Sequence, residues 1–238
     1  MIVGPAFFSG ASAPVGSAVL LIDFESGIVD ESPYGRALTP VNGAAASTTR
    51  AKFGSYGMTT DGTYRIDASS AAELQFLSQE WSVDGWLYVP TAASLATDNT
   101  IAAKWTTTGG NKLSWWIGLR ASGHLRFFFS NDGAYVGSFP DASAAGITRD
   151  AWVHFAVWRC QASGTDRVYG AFNGVAYNVH SSSIGTINSN AAPITIAGVD
   201  YTTSARLPNG CSLDELRICV GSIDYGHGNF TPPAVPYG

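Results

Sequence analysis

Apolar and polar residues alternate in short runs along most of the chain, and no helical period persists between them. The alternation predicts strands over 19–24, 64–68, 82–89, 99–105, 113–120 and 123–130, and again over 151–159, 167–172, 175–180, 193–199 and 212–220. Two tight turns punctuate this series. Ser122-Gly123 separates two aromatic strands, and Asn173-Gly174 joins 168–172 to 175–179, a pair whose residues both tolerate positive φ. Residues 71–77 predict one or two helical turns, with Ser69 or Ser70 as cap. Many antiparallel strands with almost no helix mean a sandwich or a barrel.

The same alternation assigns faces. Val153, Phe155 and Val157 oppose Trp152, His154, Ala156 and Trp158, while Leu113, Trp115, Ile117 and Leu119 oppose Ser114, Trp116, Gly118 and Arg120. A two-sheet sandwich buries one face of each sheet. Aromatics on both faces therefore imply a binding surface or a second contact with protein. In the last strand, Leu213, Glu215, Arg217 and Cys219 are expected on one face, and Asp214, Leu216 and Ile218 on the other. The tail beyond it, Asn229-Phe-Thr-Pro-Pro-Ala-Val-Pro-Tyr237, is too rich in proline for helix or central strand and must run extended over the surface.

Composition narrows the function classes. The chain has 238 residues, enough for one core without disulfides, and 45% of them are hydrophobic while 13% are charged. A net charge of -5 argues against nucleic acid, which needs a basic stripe, and no polybasic segment addresses an anionic membrane. Cys160, Cys211 and Cys219 are an odd set for a disulfide framework and read as small buried hydrophobes, with one bridge such as Cys160–Cys211 left open. The first 21 residues lack Lys and Arg and are broken by Pro5 and Pro14, so neither a secretory signal nor a membrane span is expected. Residues 1–18, with Phe7-Phe8, are either a loosely packed terminus or an arm that docks on another subunit, since exposed paired phenylalanines are costly unless covered. Residues 19–238 are expected to form one domain.

Several motifs, in order, resemble those of laminin G-like domains of the concanavalin A-like superfamily. They are Leu20-Leu-Ile-Asp-Phe-Glu25, Lys52-Phe-Gly-Ser-Tyr-Gly57 with Thr60-Asp-Gly-Thr-Tyr64, and Trp81-Ser-Val-Asp-Gly-Trp-Leu-Tyr-Val-Pro90. Ile101-Ala-Ala-Lys-Trp105, Leu125-Arg-Phe-Phe-Phe-Ser130, Trp152-Val-His-Phe-Ala-Val-Trp-Arg159 and Phe172-Asn-Gly-Val175 continue the order. The resemblance implies an all-β, two-sheet antiparallel jelly-roll sandwich, here with a short extended N-terminal arm. Gly85 stands where that family usually has a bulky residue. The closing Asn-Phe-Thr-Pro-Pro piece is similar to versions found in phage virion proteins.

Glycoside hydrolases on this scaffold place paired carboxylates on one strand face as Glu-x-Asp-x-Glu. No such run occurs here, and adjacent Asp214 and Glu215 should point to opposite faces, so no enzyme is expected. The four histidines show neither metal-ligand spacing nor a nucleophile turn. The resemblance implies one structural calcium, with Asp214, Asp23 and carbonyls of the Gly54–Gly57 loop as ligands. The alternative is that Asp214 accepts loop amides or pairs with an arginine. For carbohydrate stacking, Trp105, Tyr135 and Tyr201 are the candidates most open to solvent, with Arg126 and Asn131 for the hydroxyls. Trp86, Trp116, Trp158 and Tyr88 are further candidates that could equally be core.

Two functional expectations follow. One is a virion structural protein, a capsid decoration or tail-associated component made in the host cytoplasm, held to a capsid or tail protein through residues 1–18 and carrying optional glycan binding. The other is a dedicated host-adhesion lectin. A homo-oligomer, in particular a trimer, is expected by analogy with fibre and decoration proteins.

Overall fold

The computed structural model describes residues 18–134, 137–138, 141–143, 145–180, 183–202 and 204–237. The arm candidates Phe7 and Phe8 and the stacking candidate Tyr135 lie outside them. The described residues form two antiparallel sheets packed face to face. The first contains β1 (Ala18–Ile22), β3 (Met58–Thr59), β5 (Trp81–Tyr88), β10 (Trp152–Cys160), β11 (Arg167–Phe172), β12 (Val175–His180) and β14 (Ser212–Val220). The second contains β2 (Leu38–Val41), β4 (Arg65–Ala68), β6 (Asp98–Thr106), β7 (Lys112–Arg120), β8 (Leu125–Phe129), β9 (Gly137–Ser138) and β13 (Ile194–Ile196). Their spatial orders are β1-β14-β5-β10-β11-β12, with β3 also on β14, and β2-β4-β13-β6-β7-β8-β9. Of the sandwich and barrel that alternation left open, the structure is the two-sheet sandwich that the resemblance implied.

Strand faces follow the period of two in most places. Val153, Phe155 and Val157 enter the main core, whereas Ala156 and Trp158 join an outer cluster. In β7, Trp115, Ile117 and Leu119 face inward, but Leu113 joins Trp116 outside, next to an irregularity at Lys104/Trp105 in the paired β6. Phe76 lies between the indoles of Trp81 and Trp115, with centroids 4.5 and 4.6 Å away, so one ring bridges the two sheets. The expected helix at 71–77 is only a single 3-10 turn, Ala72–Leu74, without a side-chain cap. Ser70 is occupied elsewhere: its hydroxyl bonds the Asn190 carbonyl and the buried Lys104 ammonium. All three cysteines are free and buried.

β14 corrects the predicted faces. Its pairing with β5 slips between Asp214 and Arg217, and Glu215 has φ 52°. This bulge puts Leu213, Leu216 and Ile218 in the core and sends Arg217 and Cys219 outward, so Leu213 and Cys219 do not share a face. The bulged backbone presses on β5 at Gly85, where a Cβ would lie 2.9 Å from the Glu215 carbonyl oxygen. That explains why no bulky residue stands there.

The tail after β14 crosses the outer face of the first sheet. Tyr225 and Phe230 pack on Trp158 at 5.1 and 5.6 Å, and the Trp158 indole donates to the Gly226 carbonyl at 3.0 Å. Beneath the tail lie buried Asp84, His154 and Arg217, with Tyr237 bonded to both Asp84 and His154. The aromatic outer face of this sheet is therefore covered by the chain's own end.

Candidate functional site

Among the described residues, the outer face of the second sheet is crossed by the loop between β13 and β14 and not by the chain's tail. In β8, inward Leu125, Phe127 and Phe129 alternate with outward Arg126 and Phe128. Cross-strand pairing sets Phe128 beside Trp116 and Trp116 beside Ala103, a small residue that leaves space above the sheet. Gly118 is needed next to them, because a Cβ there would come within 2.5 Å of the Trp116 ring. The Trp116 indole N–H donates to Thr100 Oγ1 at 2.8 Å, which fixes the ring's orientation. The loop between β13 and β14 folds over this floor, held where the Thr100 hydroxyl bonds the Ala205 carbonyl at 2.6 Å.

The result is a pocket of about 180 Å3 lined by Asp98, Trp105, Trp116, Phe128, Tyr201 and Ala205. Tyr201 is 39% exposed and forms the outer wall, while Trp105 shows 8% of its surface. Burial raises the Tyr201 phenol above its ordinary pKa, the nearby Asp200 and Asp98 charges push it the same way, and the bonded Trp105 side chain opposes them. Arg126 is 3.2 Å from Asp98 and lies over the Phe128 ring at 4.3 Å, so its cation is already engaged. The Thr106 hydroxyl donates to Asp200 Oδ2 at 2.9 Å. Chemically, the site offers flat aromatic surface, one wall open to solvent and a carboxylate at its edge.

Of the expected carbohydrate residues, Trp105, Tyr201 and Arg126 converge here. Trp105 does so from inside β6 and largely buried, not from an exposed loop. Asn131 is elsewhere: its side-chain amide ties the Ile184 and Thr186 carbonyls. Asp98 and Phe128 were not singled out, although Phe128 shares the outward register of Arg126. Trp86 and Trp158 are covered rather than available, Trp86 by the Lys52 ammonium 3.9 Å above its ring and Trp158 by the tail.

The expected calcium ligands are brought to one corner of the first sheet, but they face donors. Asp214 Oδ2 accepts the Lys52 and Phe53 amides at 2.6 and 3.2 Å, and Oδ1 accepts the Glu215 amide at 2.9 Å. Asp23 accepts the Glu25 amide, and Glu25 accepts those of Ser55 and Tyr56. A Cβ added at Gly54 would meet the Glu25 carboxylate, and Gly57 is bridged to Ser47 through its backbone. Calcium requires six to eight oxygens directed at one point. Among the described residues no cluster of three or more acidic, His or Cys side chains is arranged for a metal. The donor set fits an amide-bound carboxylate and does not fit calcium.

Burial pushes the Asp214 carboxyl up to about 6 despite those amides. Burial likewise pushes Glu215 up to about 8, although its carboxylate accepts the Tyr237 amide at 2.7 Å. These two perturbed acids belong to the first sheet, on the side of the sandwich away from the aromatic pocket. No helix among the described residues is long and apolar enough to cross a membrane.

Known structures share the architecture. The binding domain of botulinum neurotoxin serotype C1 superposes with a TM-score of 0.61 at 16% identity, covering 88% of this chain and 50% of that one. The serotype G binding domain gives 0.61 at 14% identity, covering 87% and 48%. The binding domain of botulinum neurotoxin DC in complex with SialylT gives 0.61 at 14% identity, covering 89% and 49%. The chain thus spans about half the length of each, and at these identities the likeness is one of fold. No curated protein matches the chain by sequence. The laminin G-like family profile, described as that of the concanavalin A-like lectin/glucanases superfamily, matches residues 41–222, and on that match the chain belongs to this superfamily.

Proposed function

We propose that the protein is a non-catalytic carbohydrate-binding module that holds one saccharide unit in the pocket between Tyr201 and Trp116. The observation that carries this reading is the convergence of Trp105, Trp116, Phe128 and Tyr201 on one pocket of the second sheet's outer face, with Asp98 at the edge. A pyranose has an apolar face that packs on such rings and hydroxyls that a carboxylate can accept. The volume is below the ~300 Å3 typical of drug-sized sites, which suits a single ring or chain end. The similar fold of a toxin binding domain in complex with SialylT supports the reading.

Binding without hydrolysis is supported by the placement of the acids. Asp98 is occupied by Arg126 at 3.2 Å, and the acids with raised pKa, Asp214 and Glu215, lie on the other sheet. A glycan array followed by mapping of amide and indole shifts tests the proposal. Perturbation of the Trp105 and Trp116 indoles and of Tyr201 is expected; binding that perturbs only other surfaces contradicts it.

The finer setting we propose is a virion surface, where residues 1–18 join a capsid or tail protein and the domain is presented to host glycans. It rests on the resemblance of the proline-rich tail and on Phe7-Phe8. Deleting residues 1–17, which spares Ala18 of β1, should leave a folded domain that no longer joins the particle; undiminished incorporation contradicts the arm.

A further inference from the structure

We infer that the pocket selects a saccharide unit carrying a protonated amine over neutral, N-acetylated or carboxylated ones. The inference rests on the carbohydrate reading and adds the charge of the ligand. Asp98 lines the pocket directly. Asp200, adjacent in sequence to Tyr201, has one carboxylate oxygen, Oδ1, buried with no hydrogen-bond partner among the described residues. Both carboxylates act on the Tyr201 side chain. Two arginines near the rim are committed. Arg126 bonds Asp98 and stacks on Phe128, and Arg120, the strand partner of Asp98, is bonded to Asp141 at 3.1 Å.

Asp98 is matched by the Arg126 guanidinium, whereas Asp200, beside the lining residue Tyr201, accepts among the described residues only the neutral Thr106 hydroxyl, within a protein of net charge -5. A sugar carboxylate entering here would meet repulsion from Asp98 and Asp200, while Arg126 is already bonded to Asp98. An ammonium would instead meet the aromatic rings of Tyr201 and Trp105 with Asp98 beside them, an arrangement that favours cations in aromatic pockets. The amine also supplies N–H donors to acceptors at the rim, and N-acetylation would remove its charge and add bulk to a pocket of about 180 Å3.

The test is calorimetric titration of the whole chain with a glucosamine oligomer, its N-acetylated counterpart, the corresponding glucose oligomer, a sialylated trisaccharide and spermine. It is run at about pH 6 and about pH 9, on either side of the amine's titration. The expected result is a preference of about tenfold for the glucosamine oligomer at the lower pH. That preference should disappear at the higher pH and in Asp98→Asn, whose folding is checked by circular dichroism. Equal or tighter binding of the neutral, acetylated or sialylated sugar overturns the inference and leaves the carbohydrate reading standing. Equal binding of spermine, which has amines and no ring, also overturns it. Binding of no saccharide overturns both readings together.

Discussion

The carbonyl oxygen of Glu215 lies 2.9 Å from where a Cβ of Gly85 would sit, so the β14 bulge and the β5 glycine exclude any larger residue between them. Glu215 holds φ 52° in that bulge. The obstruction is backbone on both sides and cannot swing away as a side chain would. Gly85→Ala is expected to lower stability by about 1–3 kcal/mol, and Gly85→Val by more. Urea denaturation reads this directly, and an unchanged midpoint for Gly85→Val contradicts the close approach.

Asp84 and Arg217 face each other at 3.2 Å under the tail, both essentially buried, and Arg217 also reaches Asp224 at 2.6 Å. Removing one partner strands a charge away from water. Arg217→Met should therefore cost about 3–5 kcal/mol, while the double replacement Asp84→Leu with Arg217→Met should cost much less. A double-mutant cycle checks it; additive losses would mean the two groups do not depend on each other.

Stability should fall as pH rises from about 6.5 to 8. Glu215 has its folded pKa raised from 4.5 to about 8 by burial, so the unfolded chain releases this proton first. Its contribution is complete below the unfolded pKa and is lost as pH passes through the folded one. His154 works oppositely, because burial lowers it from 6.5 to about 4 and its stabilisation is lost on acidification through that window. The two oppose each other between about 4.5 and 6.5, and above that range Glu215 acts without His154. Glu215→Gln should flatten the decline between pH 6.5 and 8 in thermal melts; an unchanged slope contradicts the assignment.

Chelation should leave the melting temperature unchanged. The Asp214 carboxylate is already held by three backbone amides, so no cation is needed to settle its charge. A drop of several degrees on adding EDTA, reversed by calcium, would contradict this.

The strands were readable because most of them alternate cleanly. The predicted bounds of β11, β12 and β14 match the structure, and the others agree to within a few residues. Missed were β2, which contains Pro40 and only four residues, and the two-residue strands β3 and β9, all too short to show a period. Side-chain facing failed at β14, since a bulge inserts a residue without a compositional mark and reverses the alternation beyond it. The aromatic pocket was half legible. Arg126 and Tyr201 were identifiable by residue type, but Asp98 and Phe128 join them only through the β6–β7–β8 pairing, which is non-local. The exclusion of Trp86 and Trp158 was not legible at all, because it depends on where Lys52 and the tail come to rest.

The carbohydrate-binding claim is tested most directly by the affinity of the best array-selected saccharide for the wild-type chain and for Tyr201→Ala. Tyr201 is the exposed wall of the pocket, so its loss removes stacking surface with little effect on the core. The account predicts a weakening of about tenfold or more at an unchanged melting temperature. Affinity that survives intact in Tyr201→Ala would contradict it.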